Sequence, residues 1–118
     1  MVKFELIRQP QDGNCFFHSM SFQLNYHKIY NLTHADLRSL LSRHYSKNNN
    51  SRQEIIKQDS IWAETEDVVA LSNLLKVNIK VWEDENKMWV TFGRNYNKSV
   101  YLRNIGNVHF DALIKKDE

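Results

Sequence analysis

One cysteine stands in the sequence, Cys15, and its neighbours are those a nucleophile needs. Asp12-Gly13-Asn14 before it is a tight polar turn: Asp and Asn tolerate turn conformations, and Gly13 is expected to supply a positive φ at no steric cost. Phe16, Phe17, Met20 and Leu24 after it fall at three- and four-residue spacings, the pattern of one apolar helix face. Cys15 is therefore expected at a helix N-terminus. Unpaired N–H groups and the helix dipole there favour a thiolate over a thiol. A structural cysteine usually has apolar neighbours on both sides; this one follows three turn formers.

A nucleophile also needs a base and a group to hold that base. Of His18, His27, His34, His44 and His109, the last has the best setting, in Val108-His109-Phe110-Asp111-Ala112-Leu113-Ile114. Alternation puts Val108, Phe110, Ala112 and Ile114 on one strand face and His109 with Asp111 on the other. Residues two apart in a strand are separated by roughly 6.5–7 Å at the backbone. Asp111 can then bond the near imidazole nitrogen and fix the tautomer, leaving the far nitrogen for a thiol. His18 shares a rigid helix with Cys15 and has no adjacent acid.

The elements that must position these groups follow from periodicity. Val2 to Ile7 alternates as a short strand, ended by Gln9-Pro10-Gln11, since Pro10 cannot donate to a ladder. The Cys15 helix should run to about Tyr26. Thr33, with Asp36 three residues on, caps a second helix whose apolar face is Leu37, Leu40, Leu41 and Tyr45. Residues 47–51 are a loop on composition, and Arg52 to Gln58 a short helix with Ile55 and Ile56 inward. Trp62 leads a further helix with Val68, Leu71, Ser72 and Leu75 inward and Val69 beside them. Acids Glu64, Glu66 and Asp67 crowd its first turns, where the dipole favours them. Trp62 itself is expected to anchor in the core. Strands follow at Val77 to Val81 and Met88 to Phe92, as a hairpin, then at Ser99 to Arg103, and finally on the His109 segment after the turn at 104–107. The sum is an α/β (α+β) fold: a small, mixed, mostly antiparallel sheet packed between helices, with Cys15 delivered to an edge strand.

Composition sets the limits. The 118 residues suit one domain, 1–118, with a real core. Sixteen basic against fourteen acidic side chains give +2, too balanced to argue for nucleic acid. A single cysteine allows no internal disulfide and suits a reducing compartment. No apolar run approaches a membrane span, and no secretory signal opens the chain. With three glycines there is no phosphate-cradling loop, and the histidines lack zinc spacing, so neither cofactor nor metal is expected.

The Asp-Gly-Asn-Cys-aromatic-aromatic block resembles the nucleophile motif of the ovarian-tumour (OTU) cysteine proteases, mostly deubiquitinases. Residues 62–75 resemble that family's tryptophan-led helix, and 107–111 its terminal histidine motif. The resemblance implies a papain-like architecture of the OTU type, with Cys15 the nucleophile, His109 the general base and Asp111 its orienting residue. It also implies that Asp12 shapes the loop so that amides around Gly13, Asn14 and Cys15 face the oxyanion. Trp62, Glu64 and Asn107 become the expected substrate contacts. His18, Ala63, Glu64 and Phe110 depart from the residues the family often carries, which bears on substrate choice.

On this resemblance the expected activity is hydrolysis of isopeptide bonds after the C-terminal Gly of ubiquitin or a ubiquitin-like modifier. Ubiquitin or polyubiquitin is the partner, with no nucleic acid and no membrane. The protein is expected to be a cytoplasmic monomer, in the host cytoplasm for a viral member of this compact size. Two other readings are an inactive ubiquitin-binding module and a polyprotein-processing protease.

Overall fold

The computed structural model describes residues 3–106 and 109–116. Their order is β1 (Lys3–Ile7), α1 (Cys15–Tyr26), α2 (His34–Lys47), α3 (Arg52–Ile56), α4 (Thr65–Leu75), β2 (Val77–Glu83), β3 (Met88–Phe92), β4 (Lys98–Ile105) and β5 (His109–Lys116). The strands form one sheet in the order β1-β5-β4-β2-β3. Every neighbouring pair is antiparallel except β2 with β4. The mixed, mostly antiparallel α/β fold expected from the pattern is the one observed.

The core forms where the periodicities converge. Phe16, Phe17, Met20 and Leu24 of α1 are at most 1% exposed, as their spacing requires. They meet Leu37 and Leu41 of α2, Leu71 and Leu75 of α4, and Val77, Ile79, Val81, Val100 and Leu102 of the sheet. These sheet residues alternate, so one face takes the helices. The other face carries Phe4, Trp82, Trp89 and Tyr101 in a chain of ring contacts with centroids 5.2–6.0 Å apart. The helices thus gather on one side instead of enclosing the sheet.

Helix ends follow their sequence signals. Asp36 N–H donates to Thr33 Oγ1 at 3.1 Å and Thr33 N–H to Asp36 Oδ2 at 2.9 Å, the reciprocal box expected for α2. Glu64 and Asp67 build a second such box on α4. Asp67 also receives Arg52 at 2.7 Å and Tyr45 Oη, all three sharing a nearly dry site that joins α2, α3 and α4.

Several expectations are corrected. Helix α4 begins at Thr65, and Trp62 lies before it, 46% exposed, so it is not a core anchor. Ile55 is 44% exposed where Ile56 is fully buried, because adjacent helical positions point about 100° apart and only one can face the core. Val69 stands 42% exposed on the outer face of α4. Strand β5 is not an edge: it lies between β1 and β4, and residues on both of its faces are buried. Val2 and Val108 fall outside the described residues.

Candidate active site

The turn ahead of α1 is held by its own side chain. Asp12 Oδ1 accepts the Asn14 N–H at 2.9 Å, and Asp12 O accepts the Cys15 N–H at 3.2 Å. The His18 N–H then closes the first helical bond onto Asn14 O at 2.8 Å. Cys15 is therefore the first residue of α1, as expected. Gly13, however, is not required by a positive φ. It is required by room: a Cβ there would lie 1.7 Å from the Ser60 carbonyl oxygen.

Strand β5 meets Cys15 from the other side. The Phe110 N–H donates to Cys15 Sγ at 3.4 Å, so the sulfur rests on the strand one residue from the imidazole. Ser19 Oγ donates to Phe110 O at 3.3 Å, and the Phe16 and Phe110 rings meet edge-on at 5.2 Å. Together these contacts fasten the first turns of α1 to β5.

Behind the sulfur, His109 Nε2 lies 2.7 Å from Asp111 Oδ1. The same oxygen accepts the Gln9 N–H at 2.7 Å, which ties the end of β1 to the pair. An ionised carboxylate only accepts, so the proton of this bond belongs to Nε2, and in the neutral ring Nδ1 is then the nitrogen with the lone pair. That Nδ1 is buried and has no hydrogen-bond partner among the described residues.

Electrostatics differ from the expectation. Burial pushes the Cys15 thiol above its ordinary value; the N–H groups of Phe110 and Phe16 pull it down, and the charges of Asp12 and Asp111 push it up again. The helix-end amides do not outweigh desolvation, so the net shift is upward, opposite to the lowering expected of a helix N-terminus.

A cleft of about 400 Å³ opens beside Phe110, walled by Ala63, Glu64 and Thr65 on one side and by Glu83 and Asn104 on the other. Glu64 thus sits in the cleft wall. Trp62 does not line it, and Asn107 falls outside the described residues.

The profile of the family described as OTU-like cysteine protease matches residues 10–114. The chain belongs to this family. Among curated relatives, the RNA-directed RNA polymerase L of Crimean-Congo hemorrhagic fever virus (strain Nigeria/IbAr10200/1970) is 30% identical over 93% of this chain and 3% of its own length. Ubiquitin thioesterase otu2 of Schizosaccharomyces pombe is 27% identical over 92% of this chain and 44% of its own length. The OTU domain described here thus spans less than half of either relative. Solved structures share its fold. An ovarian tumour domain in complex with ubiquitin superposes with a TM-score of 0.84 at 17% identity, covering 98% of this chain and 72% of that one. The Hazara virus OTU bound to ubiquitin gives 0.73 at 23% identity, covering 98% and 83%. An OTU deubiquitinase from Wolbachia pipientis wMel gives 0.78 at 19% identity, covering 94% and 88%.

Sequence-predicted residues of this OTU domain separate into two groups. His109 and Asp111 are bonded to each other, Cys15 Sγ accepts the N–H of Phe110 between them, and Asp12 closes the turn before Cys15 without touching the sulfur by any bond described. The amides expected to face an oxyanion are partly engaged: those of Asn14 and Cys15 turn into Asp12, and of the three only the Gly13 N–H has no partner among the described residues. Residues that pattern reading passed over also enter the site. Arg38, 2% exposed, reaches the Gly13–Asn14 turn from α2, and Asn14 bonds Asp59 and Ser60. The available signal was position: Arg38 falls on the same buried stripe of α2 as Leu41 and Tyr45.

Proposed function

We propose that this domain is a deubiquitinating cysteine protease that hydrolyses isopeptide bonds after the C-terminal Gly of ubiquitin or a ubiquitin-like modifier. The observation that carries the reading is the buried His109 Nδ1, with no described partner, its ring fixed through Nε2 by Asp111 and set beside the residue whose amide holds Cys15 Sγ. The names of relatives support the substrate: one is a ubiquitin thioesterase, and two solved neighbours are bound to ubiquitin.

Because burial favours the thiol, the reaction begins with proton transfer from Sγ to His109 Nδ1. The thiolate adds to the carbonyl carbon of the terminal glycine, and the pair of electrons moves to oxygen. The Gly13 N–H is the donor the turn leaves for that oxyanion. Collapse expels the lysine amine, which takes its proton from the imidazolium, and leaves a thioester on Cys15. Water, deprotonated by Nδ1, attacks the thioester; the carboxylate leaves and the thiol is restored. Asp111 holds the ring throughout, and Asp12 holds the turn.

Glu64 in the cleft wall, Trp62 two residues before it, and Asn107 are the proposed substrate contacts. A single domain working on ubiquitin in the cytoplasm fits the reading. Among the described residues no helix is long and apolar enough to cross a membrane.

The test is incubation with ubiquitin carrying a C-terminal electrophile. A covalent adduct, lost in Cys15→Ala, supports the enzyme. Binding of ubiquitin by the intact chain without any adduct makes it a non-catalytic binding module. Cleavage of Gly-Gly-containing peptides in preference to ubiquitin conjugates makes it a polyprotein-processing protease.

A further inference from the structure

Arg38 is a buried cation that meets oxygen atoms from three separate segments. Its Nη1 donates to Ile56 O at 3.0 Å, and its Nη2 reaches Ile61 O at 2.8 Å, Asn14 Oδ1 at 2.6 Å and Gly13 O at 3.3 Å. The guanidinium lies 4.2 Å over the Phe17 ring, two residues beyond Cys15. Around it, the nucleophile turn and residues 57–61 are locked together. Asn14 Nδ2 donates to Asp59 Oδ1 at 3.0 Å, and Asn14 Oδ1 accepts the Ser60 N–H at 3.0 Å. Ser60 adopts a left-handed backbone, φ +66°, and its carbonyl oxygen occupies the space a side chain at Gly13 would fill.

We propose that Arg38 is the positioning residue of the nucleophile turn, working with Asn14 and Asp59 to set where the Gly13 amide and Cys15 stand relative to β5. A planar fork with five donors can bridge Ile56, Ile61 and the turn at once; a lysine ammonium in the same place cannot span them. The turn has no side-chain cap of its own on α1, because Asn14, its N-cap residue, spends its amide on Arg38, Asp59 and Ser60. Asp12 shapes the turn internally, while the place of the turn against the rest of the molecule is set from α2 and from residues 57–61. The inference deepens the protease reading, since it needs Cys15 to be the nucleophile.

Two variants test it, Arg38→Lys and Asp59→Ala, the second on an exposed side chain whose loss leaves the core intact. Turnover of a ubiquitin C-terminal fluorogenic substrate and alkylation of Cys15 by iodoacetamide across pH are both measured well below each variant's melting temperature. Misplacing reacting groups by about an ångström costs up to ~100-fold, so Arg38→Lys is expected to lower kcat about 10- to 100-fold with KM within about threefold. Asp59→Ala should lower kcat about threefold or more, with Tm nearly unchanged. In both, the pH profile of Cys15 alkylation should move away from that of the wild type. If both variants keep kcat and the alkylation profile at wild-type values, whatever their Tm, the proposal is overturned. Should wild type give no adduct with the ubiquitin electrophile, the protease reading fails by itself, while the alkylation profiles still decide whether Arg38 and Asp59 set the environment of Cys15.

Discussion

His109 Nε2 stands 2.7 Å from Asp111 Oδ1, two residues along one strand, with both side chains nearly closed to solvent. The bond fixes which nitrogen carries the proton. Removing the ring should cost most of the acid–base contribution: His109→Ala is expected to lower kcat by about 10²- to 10⁴-fold. Asp111→Ala frees the ring and should cost about 10²-fold, whereas Asp111→Asn, whose oxygen can still accept from Nε2, should retain more activity than the alanine. Steady-state turnover of a ubiquitin C-terminal fluorogenic substrate checks the ranking.

The raised thiol of Cys15 has a consequence for pH. Its alkylation rate should still be climbing above about pH 8.5, the ordinary thiol value. The sign for stability follows from linkage. A group whose folded value is raised contributes stability below its unfolded value and loses it as pH rises through the folded one, because the unfolded chain gives up the proton first. Wild type should thus lose melting temperature relative to Cys15→Ala as pH rises above about 8.5. A constant difference across that range would refute the assignment.

Gly13→Ala tests the close approach of the two loops. The added methyl meets backbone, which cannot rotate away as a side chain can. A loss of about 1–3 kcal/mol by urea denaturation is expected, together with loss of activity from the displaced turn. Retained activity and stability would mean that the Ser60 carbonyl does not press on this turn in solution.

The dry Asp67 site makes a stability prediction remote from the chemistry. Asp67→Ala leaves the buried Tyr45 hydroxyl without its acceptor and removes the nearest partner of Arg52, which keeps Trp62 O and Glu64, and should destabilise by about 1–3 kcal/mol. Tyr45→Phe removes one neutral donor and should cost about 0.5–1.5 kcal/mol. Chemical denaturation measures both.

Trp62→Ala separates packing from recognition. Because the side chain is half exposed, the change in stability should stay within about 0.5 kcal/mol. A rise in KM with kcat preserved would place the indole against substrate, and an unchanged KM would remove it from the proposed contacts.

What the sequence revealed and what it hid divide along a physical line. The buried face of α1, the Thr33–Asp36 box and the alternation of β2 and β5 depend on neighbours within a few residues, so spacing exposed them. His109 beside Asp111 was legible for the same reason. Trp62 was misplaced because its burial depended on where α4 begins, and the Glu64–Asp67 box sets that start at Thr65. The role of Gly13 depended on Ser60, 47 positions away, and that of Arg38 on carbonyls of the 56–61 segment. The place of β5 in the sheet rested on β1 and β4 pairing to its two sides. Such contacts between distant segments leave no periodic trace.

The pairing of β1 with β5, Lys3 opposite Lys116, makes closure of the sheet a long-range event. Phe110 and Cys15 meet across 95 positions of sequence, and contacts so far apart form slowly. Until β5 docks between β1 and β4, the thiol and the imidazole stand on unconnected segments, so the chemistry proposed for them waits on that docking.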